Sequence, residues 1–459
     1  MFLSLRAPAG ALLSLLVLGC ASEGERRSWS DWSALDRSFE ARQSEPAPLT
    51  SATGLADYVR LALERNPALR AQAQRWRADL ERVPQVRSLP DPMLRYGGYA
   101  ERVETRVGPQ RHRFGLSQRV PWPGKLSRRA DVALAESEAT RARTDLVRLR
   151  VVYQVARAYA DYYYLARERA VTRETLTLVR HWESVAQARL RVGKQAAHRD
   201  VIKAQVEIGR LEDRLASLSD ARRPHVARLR ALLDLPRELE LPWPSALPEV
   251  AIEPSDEQVF GLLEEHSPLL AERRAKIVAR ERGVDLAWQS YLPDLALGVD
   301  VIETGPARRN AAGFRPTSSG QDAVIATFGI SLPIWVGRNE AAVSEARARL
   351  RAAEFEQVDV RNELLAAATR ALFDHRDAGR KLRLYRDTLV PKAIQSLKAT
   401  AAAYEGGAGE FLDLLDAERV LLEFHLARER ALADRVRSFA ELELLTGAEL
   451  GPRGEEGAR

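Results

Sequence analysis

Residues 113–126, RFGLSQRVPWPGKL, change their hydropathy pattern partway along. Up to Val120 polar and apolar side chains alternate with period two, which puts successive residues on opposite faces of a strand. Beyond it, Pro123 and Gly124 open a long run with helical periodicity, since proline is favourable at a helix start and glycine permits a tight bend. The same passage recurs at 327–338 as TFGISLPIWVGR, with FGLS matched by FGIS and Trp122 and Gly124-Lys125 matched by Trp335 and Gly337-Arg338. A strand leading into a long helix is therefore written twice in one chain, and an internal repeat of this kind organises the whole fold.

Working outward from that junction, the two halves keep step. LERNPALRA (63–71) matches LEEHSPLLA (263–271), LPDPML (89–94) matches LPDLAL (292–297), and from Trp122 onward the offset is 213 throughout, so that Asp200 and Ala204 match Asp413 and Ala417. Gly124 to Gly193 and Gly337 to Gly406 both span 69 residues. Leu149, Val152, Ala156, Tyr159 and Tyr163 recur at alternating threes and fours, a coiled-coil-like seam. At 1.5 Å per residue, roughly 65 helical residues make a rod of about 100 Å. Each rod ends at a turn, Arg191-Val192-Gly193 or Tyr404-Glu405-Gly406-Gly407, and a second helix returns. Pro224 and Pro391 fall inside these helices and are expected to kink them or mark local breaks.

The expected organisation is a signal peptide over 1–19, an extended segment over 20–53, a first repeat over 54–235, a linker over 236–254, a second repeat over 255–447 and a tail over 448–459. Each repeat holds short helices, two strands (about 91–103 and 110–121; about 293–304 and 321–334) and a long helical hairpin (124–235; 337–447). In AVIATFGISL, Val324, Ala326, Phe328, Ile330 and Leu332 share one face, and Thr327, Gly329 and Ser331 share the other. Two readings fit such segments. They are soluble hairpins capping a helical bundle, or they are tilted transmembrane strands of about ten residues. Four strands cannot close a barrel in lipid, where every unpaired edge group costs several kcal/mol, so the second reading requires several chains to share one barrel.

Composition narrows the choice. With 29% charged and 45% hydrophobic residues in 459, the chain is foldable. Lys and Arg exceed Asp and Glu by 70 to 64, but basic and acidic residues are interspersed along the helical stretches, so the excess reads as solvated helix faces and not as a nucleic-acid surface. The single cysteine, Cys20, excludes an intrachain disulfide. It follows Arg6 and the apolar run beginning at Ala11, too short for an anchor helix and suited to a secretory signal. Val17-Leu18-Gly19-Cys20 is similar to a bacterial lipobox, which would make Cys20 the lipid attachment site, and Ala21 in place of Asp points to the outer membrane; an ordinary signal peptide with a chance cysteine is the other reading.

The order and spacing of LALERNPALRA, SLPDPML, PWPGKL, LVPKA (389–393), GEFLDLLDAERVLLE (409–423) and the closing ELLTG resemble the TolC-type outer-membrane efflux channel family, from about Gly54 to Gly447. The resemblance implies a mainly α chain with a small β part. It implies a homotrimer in which four strands per chain build a 12-stranded β-barrel, continuous with a long periplasmic α-helical barrel. It implies partners too: a periplasmic adaptor (membrane fusion protein), an inner-membrane pump and outer-membrane lipid. PWPGKL resembles the form common among members associated with heavy-metal efflux. Carried over residue by residue, Tyr404, Asp413, Asp416 and Asp200 fall at the periplasmic aperture, where a ring of like charges would bind cations and raise one another's pKa. The other reading of Asp413 and Asp416 is that acids in a helix's first turns stabilise the positive dipole end by ~0.3–1 kcal/mol. The adaptor-docking tips would be Arg191, Val192, Gly193, Glu405, Gly406 and Gly407. Gly409 stands where some members carry an arginine that helps close the aperture, and Arg199 or Lys194 are candidates to replace it.

Enzyme chemistry finds no foothold. The seven histidines show no pair three or four apart, zinc-type Cys/His spacing is absent, and there is no P-loop, dinucleotide-binding glycine pattern or G-x-S-x-G elbow. No catalytic, metal or cofactor residue is assigned. The expected function is the exit channel of a tripartite efflux or type I-like export system, with metal ions or small toxic compounds as the expected cargo. The competing expectation is a lipid-anchored periplasmic helical scaffold without a barrel.

Overall fold

The computed structural model describes residues 21–40, 49–50, 52–192, 197–309 and 313–451; Cys20, Gly193 and Lys194 lie outside the described residues. Helices α1 (Glu23–Glu40), α2 (Leu55–Arg65) and α3 (Pro67–Arg87) precede strands β1 (Met93–Thr105) and β2 (Gly108–Val120), then α4 (Lys125–Arg191) and α5 (Ala197–Leu233). The second half repeats the order with α6 (Asp256–His266), α7 (Pro268–Trp288), β3 (Leu295–Thr304) and β4 (Ala323–Ile330). It continues with α8 (Val336–Leu384), a π turn (Tyr385–Leu389), α9 (Val390–Gly406) and α10 (Phe411–Thr446). Two compact units result. One takes in Arg75–Thr140 and Arg273–Gln357; the other takes in Arg141–Glu272 and the residues from Val358 on.

The quoted junction is a real corner. β2 stops at Val120, Gly124 takes a left-handed φ of +96°, and α4 starts at Lys125. The Lys125 ammonium, 12% exposed, donates to the Asp294 carboxylate at 2.7 Å and to the Leu292 carbonyl at 2.8 Å, and the Trp122 N–H meets the same carboxylate at 3.2 Å. This ties the start of α4 to the start of β3. The second copy is built differently: Gly337 lies inside α8 without a positive φ, so the sequence match at Trp-x-Gly is not a match of conformation.

The four strands form one antiparallel sheet in the order β1-β2-β3-β4, so that β2 from the first half pairs with β3 from the second over Val120↔Leu295 to Gln110↔Thr304. Register then decides the faces. Leu94 opposes Leu116, which opposes Val299, which opposes Ala326; one residue over, Arg95 opposes Gly115, which opposes Asp300. Leu94, Tyr96, Phe114, Leu116, Leu297 and Phe328 are all exposed on the first face.

In the helical unit the apolar seams are narrow. One core gathers Tyr58, Val155, Tyr159, Tyr162 and Leu229 from α2, α4 and α5; a second gathers Val259, Leu270, Ala368 and Leu442 from α6, α7, α8 and α10. Pro224 lies within α5, which continues through it without a break, whereas Pro391 is preceded by the π turn. A proline supplies no N–H and its ring crowds the carbonyl four residues back, here Asp387, and the wider turn makes room for it. Both halves end on the same device: Asp234 and Gly447, 213 apart, are left-handed at φ +50° and +72° and close α5 and α10. A Cβ at Gly447 would lie 2.4 Å from the His266 carbonyl oxygen, so that position accepts only glycine.

Candidate functional site

Two places concentrate chemistry. On the sheet's second face Asp300, its side chain 6% exposed, accepts from the Arg113 Nε at 3.1 Å. Gly115 makes this possible, because a Cβ there would stand 2.3 Å from the Asp300 Oδ1. Gly298 does the same for Thr327, at 2.5 Å from its Oγ1. The sheet therefore carries a polar, hydrogen-bonding face opposite an apolar face that no described residue covers. None of this network was assigned from the sequence, since Arg113 and Asp300 are 187 residues apart.

The second place is the turn joining α9 to α10. α9 ends at Gly406; Gly407, at φ +84°, donates to the Tyr404 carbonyl at 3.0 Å, and the N–H groups of Ala408 and Gly409 both reach the Ala403 carbonyl at 3.0 Å. These bonds satisfy the last carbonyls of the helix. Gly409 is held close: a Cβ there would be 3.0 Å from the Tyr404 nitrogen and 3.1 Å from the Ala403 Cβ. A longer side chain at that position would require the turn to shift.

The expected aperture residues separate into two groups. Tyr404, 1% exposed, is packed inside a cluster with Trp182, Ala204, Phe411, Leu414 and Leu415, drawn from α4, α5, α9 and α10. Its hydroxyl donates to the Asp200 Oδ2 at 3.2 Å, its ring lies 5.4 Å from Phe411, and the Arg189 guanidinium sits 4.3 Å above it. The phenol is thus a tie between helices. Asp413 and Asp416 instead lie on the exposed face of α10; Asp416 is within 3.5 Å of Arg419, and Asp413 has no ion-pair partner among the described residues. At the tips Arg191, Val192, Glu405, Gly406 and Gly407 are all exposed, Val192 at 77%. Arg199 is exposed, away from Gly409's contacts.

Sequence reasoning missed the polar core beneath the tip. Arg419 bridges to Glu207 of α5 at 2.5 Å, and beside them Glu418 is 1% exposed and makes no ion pair among the described residues. Burial pushes the Glu418 carboxyl up to about 7; the Glu207 carboxylate adds to this, while Thr175 and Arg419 pull against it. The signal was present as a glutamate at a helical spacing from Leu414 and Leu415, on the buried side of α10, but only packing shows which side that is.

Among the described residues no helix is long and apolar enough to cross a membrane, and no group of three or more His, Cys, Asp or Glu could hold a metal ion.

Known proteins place this architecture. The family model described as "Outer membrane efflux protein" matches residues 58–234 and 259–448. The cobalt-zinc-cadmium resistance protein CzcC of Cupriavidus metallidurans is 24% identical over 415 residues, covering 87% of this chain and 90% of CzcC. A membrane protein from Pseudomonas aeruginosa superposes with a TM-score of 0.72 at 20% identity, over 90% of this chain and 97% of its own. The channel protein CusC superposes equally well, with a TM-score of 0.72 at 17% identity over 88% and 95% of the two chains. These matches displace the scaffold alternative: the chain belongs to the outer membrane efflux protein family, the TolC-type channels, and is an outer-membrane export conduit reaching into the periplasm, not an enzyme.

Proposed function

We propose that three copies of this chain form the exit duct of a tripartite efflux system whose cargo is divalent metal ions. The observation that carries the assembly is the sheet. It has an uncovered apolar face, a polar face and two edges, on β1 and β4, that no described strand pairs. In lipid such edges are tolerable only when joined, and three four-stranded sheets close a 12-stranded barrel with the Arg113–Asp300 face toward the lumen. The metal cargo rests on the likeness to CzcC, a cobalt-zinc-cadmium resistance protein. Energy and selection come from an inner-membrane pump linked through a periplasmic adaptor. Acylation of Cys20 would add a lipid anchor to the barrel, and a Cys20→Ser chain that still incorporates a labelled fatty acid would rule it out.

In this reading the exposed turn residues Arg191, Val192, Glu405, Gly406 and Gly407 meet the adaptor, together with Gly193, which lies outside the described residues. Asp413 and Asp416 face the narrowing of the tunnel, while Tyr404 and Asp200 set the position of their helix from behind. Threefold symmetry places each acid in a ring of three, a cation-attracting constriction. The test is conductance in planar bilayers. Asp413→Asn with Asp416→Asn raises single-channel conductance or weakens block by divalent cations; unchanged conductance and block remove both residues from the constriction. For the assembly, native mass measurement of the detergent-extracted protein gives a trimer, and a monomer washed free of the membrane refutes it.

A further inference from the structure

The polar face of the sheet has a sign. Over Met93–Gly98, Arg113–Val120, Leu295–Ile302 and Ala323–Ile330, the paired stretches of β1 to β4, the charged residues are Arg95, Arg113, Arg119 and Asp300. Successive residues of a strand point to opposite faces, so register puts all of them on one face, away from Leu94, Phe114 and Leu116. Each arginine has a small neighbour across the sheet: Arg95 opposes Gly115, Arg113 opposes Gly97, and Arg119 opposes Ala296. No bulky side chain stands directly beside them, and all three arginines are exposed.

The one acid is sunk into the sheet while the cations face solvent. The Asp300 side chain is 6% exposed and that of its partner Arg113 is 49% exposed. The carboxylate occupies the space above Gly115, where a Cβ would lie 2.3 Å from the Asp300 Oδ1 and 3.8 Å from the Arg95 Cβ. Arg95 and Arg119 make no ion pair among the described residues. The acid near Arg119, Asp294, is already held by Lys125 at 2.7 Å. Three arginines against one buried aspartate leave each copy of the face with a surplus of two positive charges.

We infer that this face makes the barrel section of the duct an anion-selective filter, in which Arg95, Arg113 and Arg119 of each copy gather small inorganic anions. The inference rests on the reading that three sheets close one barrel with this face toward the lumen. Twelve strands spaced ~4.8 Å apart and tilted by ~40° enclose a backbone radius of about 12 Å, and the arginine side chains reach inward from it. With a Debye length of ~10 Å at 0.1 M salt, the axis lies within about one Debye length of the guanidinium groups. A lumen lined with one sign of charge concentrates ions of the other sign, and rings of arginine select for anions. The wall is opposite in sign to the proposed Asp413 and Asp416 constriction. The two sections therefore act in series on opposite ions, and a cation admitted at the tip leaves through a section where accompanying anions balance its charge.

The test is the reversal potential in planar bilayers under a tenfold gradient of dilute KCl. It is read on the full chain carrying Asp413→Asn and Asp416→Asn, so that the barrel and not the tip decides the outcome. The expected chloride-to-potassium permeability ratio is above one. Arg95→Gln with Arg119→Gln leaves the Arg113–Asp300 pair in place and lowers that ratio at least twofold. Arg95→Lys with Arg119→Lys keeps the ratio, which separates the charge from any change of structure. In ~1 M KCl, where the Debye length falls to ~3 Å, the preference shrinks toward one. Channels without chloride preference in dilute salt, or a ratio that the glutamine pair leaves unchanged, overturn the inference while the barrel reading stands. A chain that is monomeric by native mass measurement and forms no channel overturns the barrel reading, and the inference with it.

Discussion

Glu418→Gln tests the buried acid beneath the tip. Glu418 is 1% exposed and makes no ion pair among the described residues, and the Arg419 charge beside it is engaged by Glu207 and Asp416. Its carboxyl titrates at about 7 in the folded chain against an ordinary 4.5. The folded state thus holds this proton more tightly than the unfolded state does. Its contribution to stability is fullest below 4.5 and is lost as pH rises through 7. At ~1.4 kcal/mol per pH unit, the ionised form costs the fold about 3 kcal/mol at pH 8 and less than about 1 kcal/mol at pH 5. Glutamine keeps the shape and never ionises. Its own desolvation cost, ~1–3 kcal/mol, is the same at both pH values. The quantity to measure is therefore the change in the mutant-minus-wild-type difference between pH 5 and pH 8. Guanidinium unfolding followed by the helical circular-dichroism signal gives it, and the variant gains roughly 2–3 kcal/mol relative to wild type on going from pH 5 to pH 8. A difference that is flat with pH, or that moves the other way, refutes the assignment of a buried, unpaired carboxyl.

His375 carries the opposite sign. Burial, reinforced by Arg435, lowers it from 6.5 to about 4, so the unfolded chain takes up a proton that the fold refuses. Stability attributable to this ring is complete above 6.5 and falls by about 3 kcal/mol as pH drops to 4; His375→Gln abolishes that dependence in the same unfolding assay. Gly115→Val drives a side chain into the Asp300 carboxylate, 2.3 Å from its Cβ position, and breaks the Arg113 pair. The expected outcome is loss of the proposed trimer in native mass measurement while the helical circular-dichroism signal persists. Tyr404→Phe removes the hydroxyl that reaches Asp200 and keeps the ring under Arg189. It costs ~1 kcal/mol of stability, and a loss above about 3 kcal/mol indicates that the ring itself was displaced.

The doubled junction, the 213-residue offset and the two unequal periods were enough to read long helices and alternating strands, because periodicity and turn chemistry are local properties of the chain. The sites were legible only in outline. Asp413 and Asp416 could be placed near a turn, but Tyr404 was grouped with them although packing turns it inward onto Asp200 and Phe411. A helical position names a neighbour on its own helix and says nothing about which helix lies across from it. That is also why Arg189, Glu207 and Glu418 went unassigned. Repetition misled once, at Gly124 and Gly337: the same residue is a left-handed corner in one copy and an interior helix position in the other, because the two strands before them end at different distances from the helix. By itself the sequence determined the element types, their doubling and the family resemblance. Only the tertiary structure joined β2 to β3 across the halves, put Asp300 against Arg113, and set Arg419 against Glu207. Those are contacts between residues far apart in the chain, fixed by register and packing, and no local pattern encodes them.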